Sequence, residues 1–153
     1  VVSRATEQLR AEFEQRAVQF NVVKPLSSVR AHPALLAQII INLLTNAVKF
    51  VAPGATSRIN VWAKRRSDPQ PMIRLWIEDN GIGVAPDDQE RIFRLFERGR
   101  VMNKYAGTGI GLAIVRRGIE RMGGHVGLES ALGAGSRFWV ELPESENSNA
   151  DKP

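Results

Sequence analysis

The pattern of apolar and polar positions predicts two amphipathic helices in the first third of the chain. In residues 3–16, Leu9 and Phe13 lie on one face and charged residues surround the rest, so we expect a helix with a narrow apolar stripe. Residues 33–50 predict a longer helix beginning at Pro33, because proline suits the first helical position, where a backbone N–H has no partner. Its wider apolar face consists of Leu36, Ile39, Ile40, Leu43, Leu44, Ala47 and Val48.

Strands are predicted around this second helix. Residues 18–23 indicate one strand, Pro25 interrupts it, and residues 26–29 indicate a second, short strand. Residues 57–64 and 72–78 alternate apolar and polar positions with a period of two and predict an antiparallel hairpin. The alternating apolar positions are Ile59, Val61, Ala63, Ile73, Leu75 and Ile77.

The second half of the chain begins with irregular segments and returns to a helix. Residues 86–94 predict a short helix, since acidic residues near its start suit a helix N-terminus. Residues 97–106 are polar and show no clear period, so we expect a mobile loop. Residues 107–111 then open a helix that runs to Met122 and stops at Gly123.

The order of the elements predicts the fold class. A closing hairpin is expected from residues 125–130 and 136–142, followed by a disordered tail over residues 144–153. Hairpins combined with helices favour an α+β fold, a two-layer sandwich in which helices cover one face of a mixed, mostly antiparallel sheet. We expect residues 17–143 to form the domain and residues 1–16 to form a connecting helix from an upstream domain.

Composition and charge narrow the function classes. The chain has 153 residues, 43% hydrophobic and 24% charged, which is typical of globular proteins. It contains no cysteine, which excludes disulfides, thiol nucleophiles and cysteine zinc sites, and two histidines do not make a metal cluster. The net charge is +5, but the basic residues form short groups and aromatic residues are only 7%, so we expect an anionic small ligand and no nucleic-acid partner. Neither a signal segment nor a membrane span is evident, and a cytoplasmic location is expected.

Two asparagines on the second helix are candidate ligand-binding residues. Asn42 and Asn46 are four positions apart, which places both amides on one helix face beside the apolar one. An amide oxygen suits magnesium, which keeps several waters and shares substrate phosphates. Lys49, three residues beyond Asn46, can reach the same anion. The alternative is a pair of buried asparagines that satisfy backbone groups.

Residues 79–83, Asp-Asn-Gly-Ile-Gly, form a second candidate site at a strand end. The Asp79 carboxylate emerges from a hydrophobic strand and can accept a hydrogen bond from an exocyclic amine. Gly81 and Gly83 allow a close backbone approach or a positive φ. An ordinary turn is the alternative, because Asp-Asn-Gly is common in turns.

Residues 107–111, Gly-Thr-Gly-Ile-Gly, form a third candidate site at a helix start. Glycines there expose backbone N–H groups, and the helix dipole favours negative charge, so the segment is a candidate phosphate cradle. It is not a P-loop, because Leu112 and Ala113 stand where that motif has lysine and a hydroxyl residue.

The order of these motifs resembles the catalytic, ATP-binding domain of sensor histidine kinases, in the GHKL superfamily. Residues 38–50 resemble its N box, residues 79–83 its first glycine box, residues 92–98 its F box and residues 107–114 its second glycine box. The resemblance covers roughly residues 17–143. It implies a Bergerat-type ATP-binding fold with ATP and Mg²⁺ as cofactors.

The resemblance also implies roles for individual residues. Asp79 would accept from the adenine amino group, Asn46 would ligate magnesium, and Asn42 would sit beside the phosphates, whose charge Lys49 and Arg98 would neutralise. The implied catalytic residues are Asn42, Lys49 and Arg98. The implied cofactor-binding residues are Asn46, Asp79, Gly81, Gly83, Tyr105, Gly107, Thr108, Gly109, Gly111 and Leu112. Phe93 and Phe96 would anchor a lid, and Tyr105 either packs on the nucleotide or is an exposed loop aromatic.

Asn42 favours a histidine kinase within this superfamily. Related ATPases carry a glutamate at this position, and an amide cannot take a proton from water at neutral pH. The nucleophile would be a histidine of a separate dimerisation domain, because neither His32, a candidate helix N-cap, nor His125, a candidate structural residue, matches the family's phosphoacceptor motif. A response regulator would act downstream, and the fragment itself would be monomeric. A regulatory or docking module without phosphotransfer and a GHKL-type ATPase remain alternatives.

Overall fold

A five-stranded sheet with helices packed on one face forms the architecture. The computed structural model describes residues 1–24, 26–51, 54–67, 69–93 and 111–145. In chain order the elements are α1 (Val2–Gln15), β1 (Gln19–Val22), α2 (Pro33–Lys49), β2 (Arg58–Arg66), β3 (Met72–Asp79), two 3₁₀ turns (Pro86–Asp88 and Arg91–Phe93), α3 (Gly111–Arg121), β4 (His125–Ser130) and β5 (Ser136–Pro143).

The sheet is mixed and mostly antiparallel, as predicted. Its strand order is β1-β2-β3-β5-β4, with β1 parallel to β2 and the other neighbours antiparallel. Both predicted hairpins are confirmed, and β3 and β5 pair to join them into one sheet. Asp79 at the end of β3 lies opposite Ile59 on one side and Ser136 on the other, and Ser136 lies opposite Ser130. These residues form one row across the end of the sheet.

The core lies between α2 and the inner face of the sheet. All seven apolar positions predicted for α2 are buried, and Ile39 and Leu44 are 0% exposed. From the sheet, Ile59, Ile77 and Val140 join the same cluster. The helix α1 packs against it through Ala5, Leu9 and Phe13, which confirms the predicted stripe.

The outer face of the sheet is covered by aromatic rings and ion pairs. Trp62, Trp76 and Trp139 lie opposite one another on β2, β3 and β5. Trp62 and Trp76 stack with ring centroids 6.0 Å apart. The Arg74 guanidinium carbon is 3.7 Å from the Trp139 ring centroid, and its Nε donates to Glu141 Oε2 at 2.9 Å. Cation–π contacts and a buried carboxylate therefore shield this face.

The helix ends follow the expected capping chemistry. His32 is the N-cap of α2, where its Nδ1 accepts a hydrogen bond of 3.4 Å from the Leu35 N–H. The helix α3 ends at Arg121 and is followed by Gly123, whose φ of 81° is the left-handed conformation that glycine favours. The Gly124 N–H donates to the Ile119 carbonyl at 2.9 Å, which is the long bond of a Schellman motif.

Two predictions, one just after the chain's first proline and one near its end, are wrong. Residues 26–29 form no strand, because Val29 makes only an isolated bridge with Glu144. The disordered tail does not begin at residue 144, since the Glu144 N–H donates to the Pro71 carbonyl at 3.0 Å and its carboxylate accepts from Arg65 at 2.8 Å. The composition around Glu144 does not reveal this ion pair, because its partner Arg65 lies 79 positions earlier in the chain. Residues 146–153 lie outside the described residues.

The predicted short helix at residues 86–94 is replaced by two 3₁₀ turns over its described part. The Gln89 amide donates to the carbonyls of Val84 and Ser130 at 3.2 and 2.8 Å, which holds the segment against β4. Ile92 and Phe93 then turn into the core. The predicted loop at residues 97–106 lies outside the described residues.

The core assignment can be tested by truncating a leucine of α2. Leu43 is 1% exposed, so we expect Leu43→Ala to lower the free energy of unfolding by about 2–5 kcal/mol, through lost apolar burial and a residual cavity. Leu132 is 55% exposed, and Leu132→Ala should change that free energy by less than about 0.5 kcal/mol. Urea unfolding followed by circular dichroism measures both. Equal losses in the two variants would contradict this core.

Candidate functional site

A buried carboxylate, that of Asp79, lies at the C-terminal end of β3. Asp79 is 8% exposed, and its Oδ1 accepts a hydrogen bond of 2.8 Å from the Gly81 N–H. Burial raises the pKa of Asp79 to about 6 from an ordinary value of 3.8, while hydrogen bonds from the backbone N–H groups of Gly81 and Ser136 lower it in part. Within the described part of the chain, Asp79 makes no ion pair.

The Asp79 carboxylate keeps acceptor capacity. An ionised carboxylate offers about four lone-pair sites, and the two backbone N–H groups use two of them. A donor from outside the protein can therefore bind the remaining sites. An exocyclic amine on a flat heterocycle has this chemistry, and its hydrogen bond would offset part of the cost of burying the charge.

The two glycines after Asp79 are required sterically. A Cβ on Gly81 would lie 2.5 Å from the Phe50 carbonyl oxygen and 2.9 Å from Asp79 Oδ1. Gly83 has a φ of 75°, and a Cβ there would collide with the Ala131 carbonyl. The segment is thus a close approach between backbones, which an ordinary surface turn does not need.

The end of α2 is tied to this glycine loop. The Phe50 carbonyl accepts from the Ile82 N–H at 2.8 Å, and the Phe50 N–H donates to the Asn46 carbonyl at 3.2 Å. The last turn of α2, which carries Asn46 and Lys49, therefore lies beside the segment that carries Asp79. The structure brings together three of the predicted site residues that the sequence separates.

The two asparagines of α2 have different surroundings. The Asn42 Oδ1 accepts a hydrogen bond of 3.3 Å from the Gln38 amide one turn earlier. The Asn46 side chain is half-buried and has no hydrogen-bond partner among the described residues. Neither amide is bound to a backbone group there, which disfavours the purely structural interpretation of the pair. The described part of the chain also contains no cluster of acidic, histidine or cysteine side chains that could hold a metal.

The start of α3 only partly matches the expected phosphate cradle. Gly111 begins α3, as predicted. Leu112 is 6% exposed and its side chain belongs to the core, so the contact that it offers a ligand most directly is its backbone N–H. Phe93 packs edge-on against Phe138 with ring centroids 6.1 Å apart, which fits an anchoring role. The other candidates, namely Phe96, Arg98, Tyr105, Gly107, Thr108 and Gly109, lie outside the described residues.

Three polar residues of the site were not predicted from the sequence. Gln38 could have been found, because it stands four positions before Asn42 on a helix. Ser136 and Ser130 could not, since only the order β3-β5-β4 places them in the row of Asp79. That order pairs strands distant in sequence, and nothing local encodes it.

Known proteins share both the sequence and the fold. Residues 31–146 match the family model of histidine kinase-, DNA gyrase B-, and HSP90-like ATPases. The chain is 44% identical over 115 residues, 74% of its length, to the sensor histidine kinase AruS of Pseudomonas aeruginosa. It is 40% identical over 117 residues, 75% of its length, to the circadian input-output histidine kinase CikA of Synechococcus elongatus. The matches span only 11% and 15% of those two relatives.

Solved structures of histidine kinases have the same architecture. Full-length ShkA in complex with AMPPNP superposes with a TM-score of 0.77 and 32% identity, over 94% of this chain and 29% of that one. The mycobacterial sensor histidine kinase MprB superposes with a TM-score of 0.74 and 26% identity, over 94% and 91% of the two chains. With a family match over well over half of its length and this shared fold, the chain belongs to the family of histidine kinase-, DNA gyrase B-, and HSP90-like ATPases, as a catalytic domain of the sensor histidine kinase type.

Proposed function

We propose that this chain binds Mg-ATP and donates the γ-phosphate to a histidine on a separate dimerisation domain of a sensor histidine kinase. The observation that carries the proposal is the Asp79 carboxylate, buried without an ionic partner among the described residues and still able to accept a hydrogen bond. The structural relative ShkA was solved with the ATP analogue AMPPNP, which supports the same ligand class.

The residues near the end of α2 fit a magnesium-bound triphosphate. Magnesium usually keeps several waters and takes few protein ligands, so one amide oxygen, from Asn46, is a sufficient protein contribution. When bound, the ion would neutralise charge on the phosphate oxygens. Lys49, the basic residue in the last turn of α2, would add a positive charge on the same side. The glycines before α3 and Arg98 would complete the phosphate contacts.

Asn42 supports transfer to another nucleophile over hydrolysis. Its Oδ1 accepts from the Gln38 amide, and an amide cannot remove a proton from water at neutral pH. His32 cannot serve as acceptor at this site, because it caps the opposite end of α2, about 20 Å from Asn46 along the helix axis. Neither His32 nor His125 matches the family's phosphoacceptor motif, so we assign the acceptor histidine to another domain.

The wider assignment follows from this role. The partners would be a histidine-containing dimerisation domain, to which α1 would connect, and a downstream response regulator, with no nucleic acid. The domain would act in the cytoplasm and be monomeric by itself. No helix in the described part of the chain combines the length and apolarity that crossing a membrane requires.

Nucleotide binding should depend on the ionisation of Asp79. Because the pKa of Asp79 is about 6, protonation below that pH removes the ionised acceptor, and ATP affinity should fall as the pH is lowered through about 6. Loss of a hydrogen bond to a charged group costs about 1.5–3 kcal/mol, so Asp79→Asn should weaken ATP binding by about 10- to 100-fold near neutral pH. Calorimetric titration of ATP, with and without magnesium, at several pH values measures both effects.

The control for this experiment is Asp87→Asn. Asp87 is an exposed aspartate in the first 3₁₀ turn, and its variant should keep the wild-type affinity and the wild-type pH dependence. Titration of the ATP phosphates affects all three proteins equally. Wild-type affinity in Asp79→Asn would contradict the adenine assignment.

The same carboxylate should destabilise the free protein. The pKa of Asp79 is raised on folding, so the folded state binds more protons than the unfolded state between about pH 4 and pH 6, and the free energy of unfolding falls as pH rises through this range. Asp79→Asn removes this effect. We expect the variant to be more stable than wild type by about 3 kcal/mol near pH 7.5 and to lose most of that advantage near pH 4. Urea unfolding at the two pH values measures it, and an equal loss of stability at both would contradict the prediction.

Phosphotransfer should require Asn46. With γ-labelled ATP, magnesium and an added histidine-containing dimerisation domain, wild type should label that domain, and Asn46→Ala should lower the rate at least about tenfold by loss of a magnesium ligand. Asn21→Ala, an exposed asparagine on β1, is the control and should match wild type. ATP binding without any labelling would favour the docking-module alternative, and steady phosphate release without the added domain would favour the ATPase.

A further inference from the structure

The Ser130 hydroxyl lies where three chain segments meet. It donates to the Gly135 carbonyl at 2.8 Å, accepts from the Val84 N–H at 2.8 Å and lies 2.9 Å from the Ser136 hydroxyl oxygen. A serine hydroxyl has one proton and two lone pairs. Since a carbonyl cannot donate, the Ser130 proton belongs to Gly135, and the Ser136 hydroxyl is the donor in the third contact. Ser130 is therefore fully hydrogen-bonded.

The strand register connects Ser130 to Asp79. Ser130 lies opposite Ser136, and Ser136 lies opposite Asp79, at the same end of the sheet. The Ser136 N–H acts on the Asp79 carboxylate as a donor that lowers its pKa, whereas the Gly81 N–H makes the short hydrogen bond of 2.8 Å. The Ser130 hydroxyl thus fixes Ser136, the neighbour of Asp79, although Ser130 does not contact Asp79 itself.

A second connection runs through the glycine loop. Ser130 holds the Val84 N–H, and the Gly133 N–H donates to the Ile82 carbonyl at 2.8 Å. Gly83 between them has no room for a side chain against Ala131. The turn between β4 and β5 and the loop after Asp79 are therefore fitted to each other over several residues.

Gln89 reinforces the same junction. Its amide donates to the Ser130 carbonyl at 2.8 Å and to the Val84 carbonyl at 3.2 Å. Ser130 is consequently held through its hydroxyl and its carbonyl, and Val84 through its backbone N–H and carbonyl. A junction with this many hydrogen bonds has little freedom to shift, which is the property that a ligand-orienting loop requires.

We propose that Ser130 is a positioning residue for the nucleotide site, whose hydroxyl fixes Ser136 and Val84 and thereby orients the Asp79 carboxylate toward its ligand. The inference rests on the proposed function for the identity of that ligand. Its effect on Asp79, however, is a property of the free protein and can be measured without nucleotide.

Removal of the hydroxyl has a defined consequence. Ser130→Ala leaves the Val84 N–H, the Ser136 hydroxyl and the Gly135 carbonyl without this partner, in a region where Val84 and Ser136 are buried. Relaxation of the strand end weakens the Ser136 N–H bond to Asp79. Because that bond lowers the pKa of Asp79, its loss should raise the pKa further.

The test uses the 153-residue chain in four forms: wild type, Ser130→Ala, Ser130→Thr and Ser57→Ala. Ser57 is the matched control, a serine 6% exposed whose hydroxyl has no hydrogen-bond partner among the described residues. The midpoint of the Asp79 carboxyl titration is followed by NMR without ligand, and ATP affinity is measured by calorimetry. Ser130→Cys, which keeps the side-chain shape, replaces Ser130→Ala if that variant does not fold.

The expected result separates Ser130 from the controls. Ser130→Ala should move the Asp79 midpoint to higher pH and weaken ATP binding by on the order of tenfold, Ser130→Thr should restore both, and Ser57→Ala should change neither. The charged groups of the neighbouring elements are unchanged in every variant. They are Glu78 on β3, Arg58 on β2, Arg137 on β5, Glu129 on β4 and Lys49 on α2.

The outcomes distinguish this inference from the proposed function. A shifted Asp79 midpoint in Ser130→Ala supports the positioning role even if wild type binds no ATP, in which case only the proposed function fails. A Ser130→Ala protein that unfolds at lower temperature but keeps the wild-type midpoint and affinity overturns the positioning role, because it shows a purely structural serine.

Discussion

The Asp79 carboxylate at the end of β3 is buried without a positive partner among the described residues. The surrounding structure has to offset the free-energy cost of removing its charge from water. Removing an ionised group from water is unfavourable unless hydrogen bonds replace its hydration. Two backbone N–H groups, from Gly81 and Ser136, do so here in part. Each is fixed by a different neighbour, the first by the loop tied to Phe50 and the second by the pairing of β5 with β3. The geometry of α2, the glycine loop and the last hairpin thus converges on one side chain.

The sequence predicts most of the fold because its information is local in those regions. The apolar face of α2, the cap at His32 and the stop at Gly123 are all encoded within a few residues, and each is found as expected. The parallel pairing of β1 with β2 and the pairing of β3 with β5 are not encoded locally. They decide which residues reach Asp79. For the same reason the contact of Glu144 with Arg65, and the failure of residues 26–29 to form a strand, could not be anticipated.

The candidate site likewise contains residues that the sequence reveals and residues that only the strand pairing reveals. Asp79, Gly81, Gly83 and Asn46 are recognisable by residue type and spacing, and the structure gives each an environment that suits the assignment. Leu112 is the exception, since a motif position does not reveal which way a helix turns its side chains, and this one is in the core. Ser130 and Ser136 are ordinary serines in the sequence. They acquire a role only through the register of three strands.

In the proposed assignment, the choice between kinase and ATPase depends on one position of α2, whereas nucleotide recognition depends on three separate segments. Asn42 can be exchanged without disturbing the core, because its side chain contacts Gln38 on the same helix face and lies beside the apolar stripe. Asp79, in contrast, contacts two other segments, since its carboxylate accepts from the Gly81 N–H of the glycine loop and its residue pairs with Ser136 of β5. If these assignments hold for the family, the fate of the phosphate can vary through α2 while the end of the sheet that carries Asp79 stays fixed. The Ser130 hydroxyl makes three hydrogen bonds between the glycine loop and the last hairpin, and contacts of this kind keep that end of the sheet fixed.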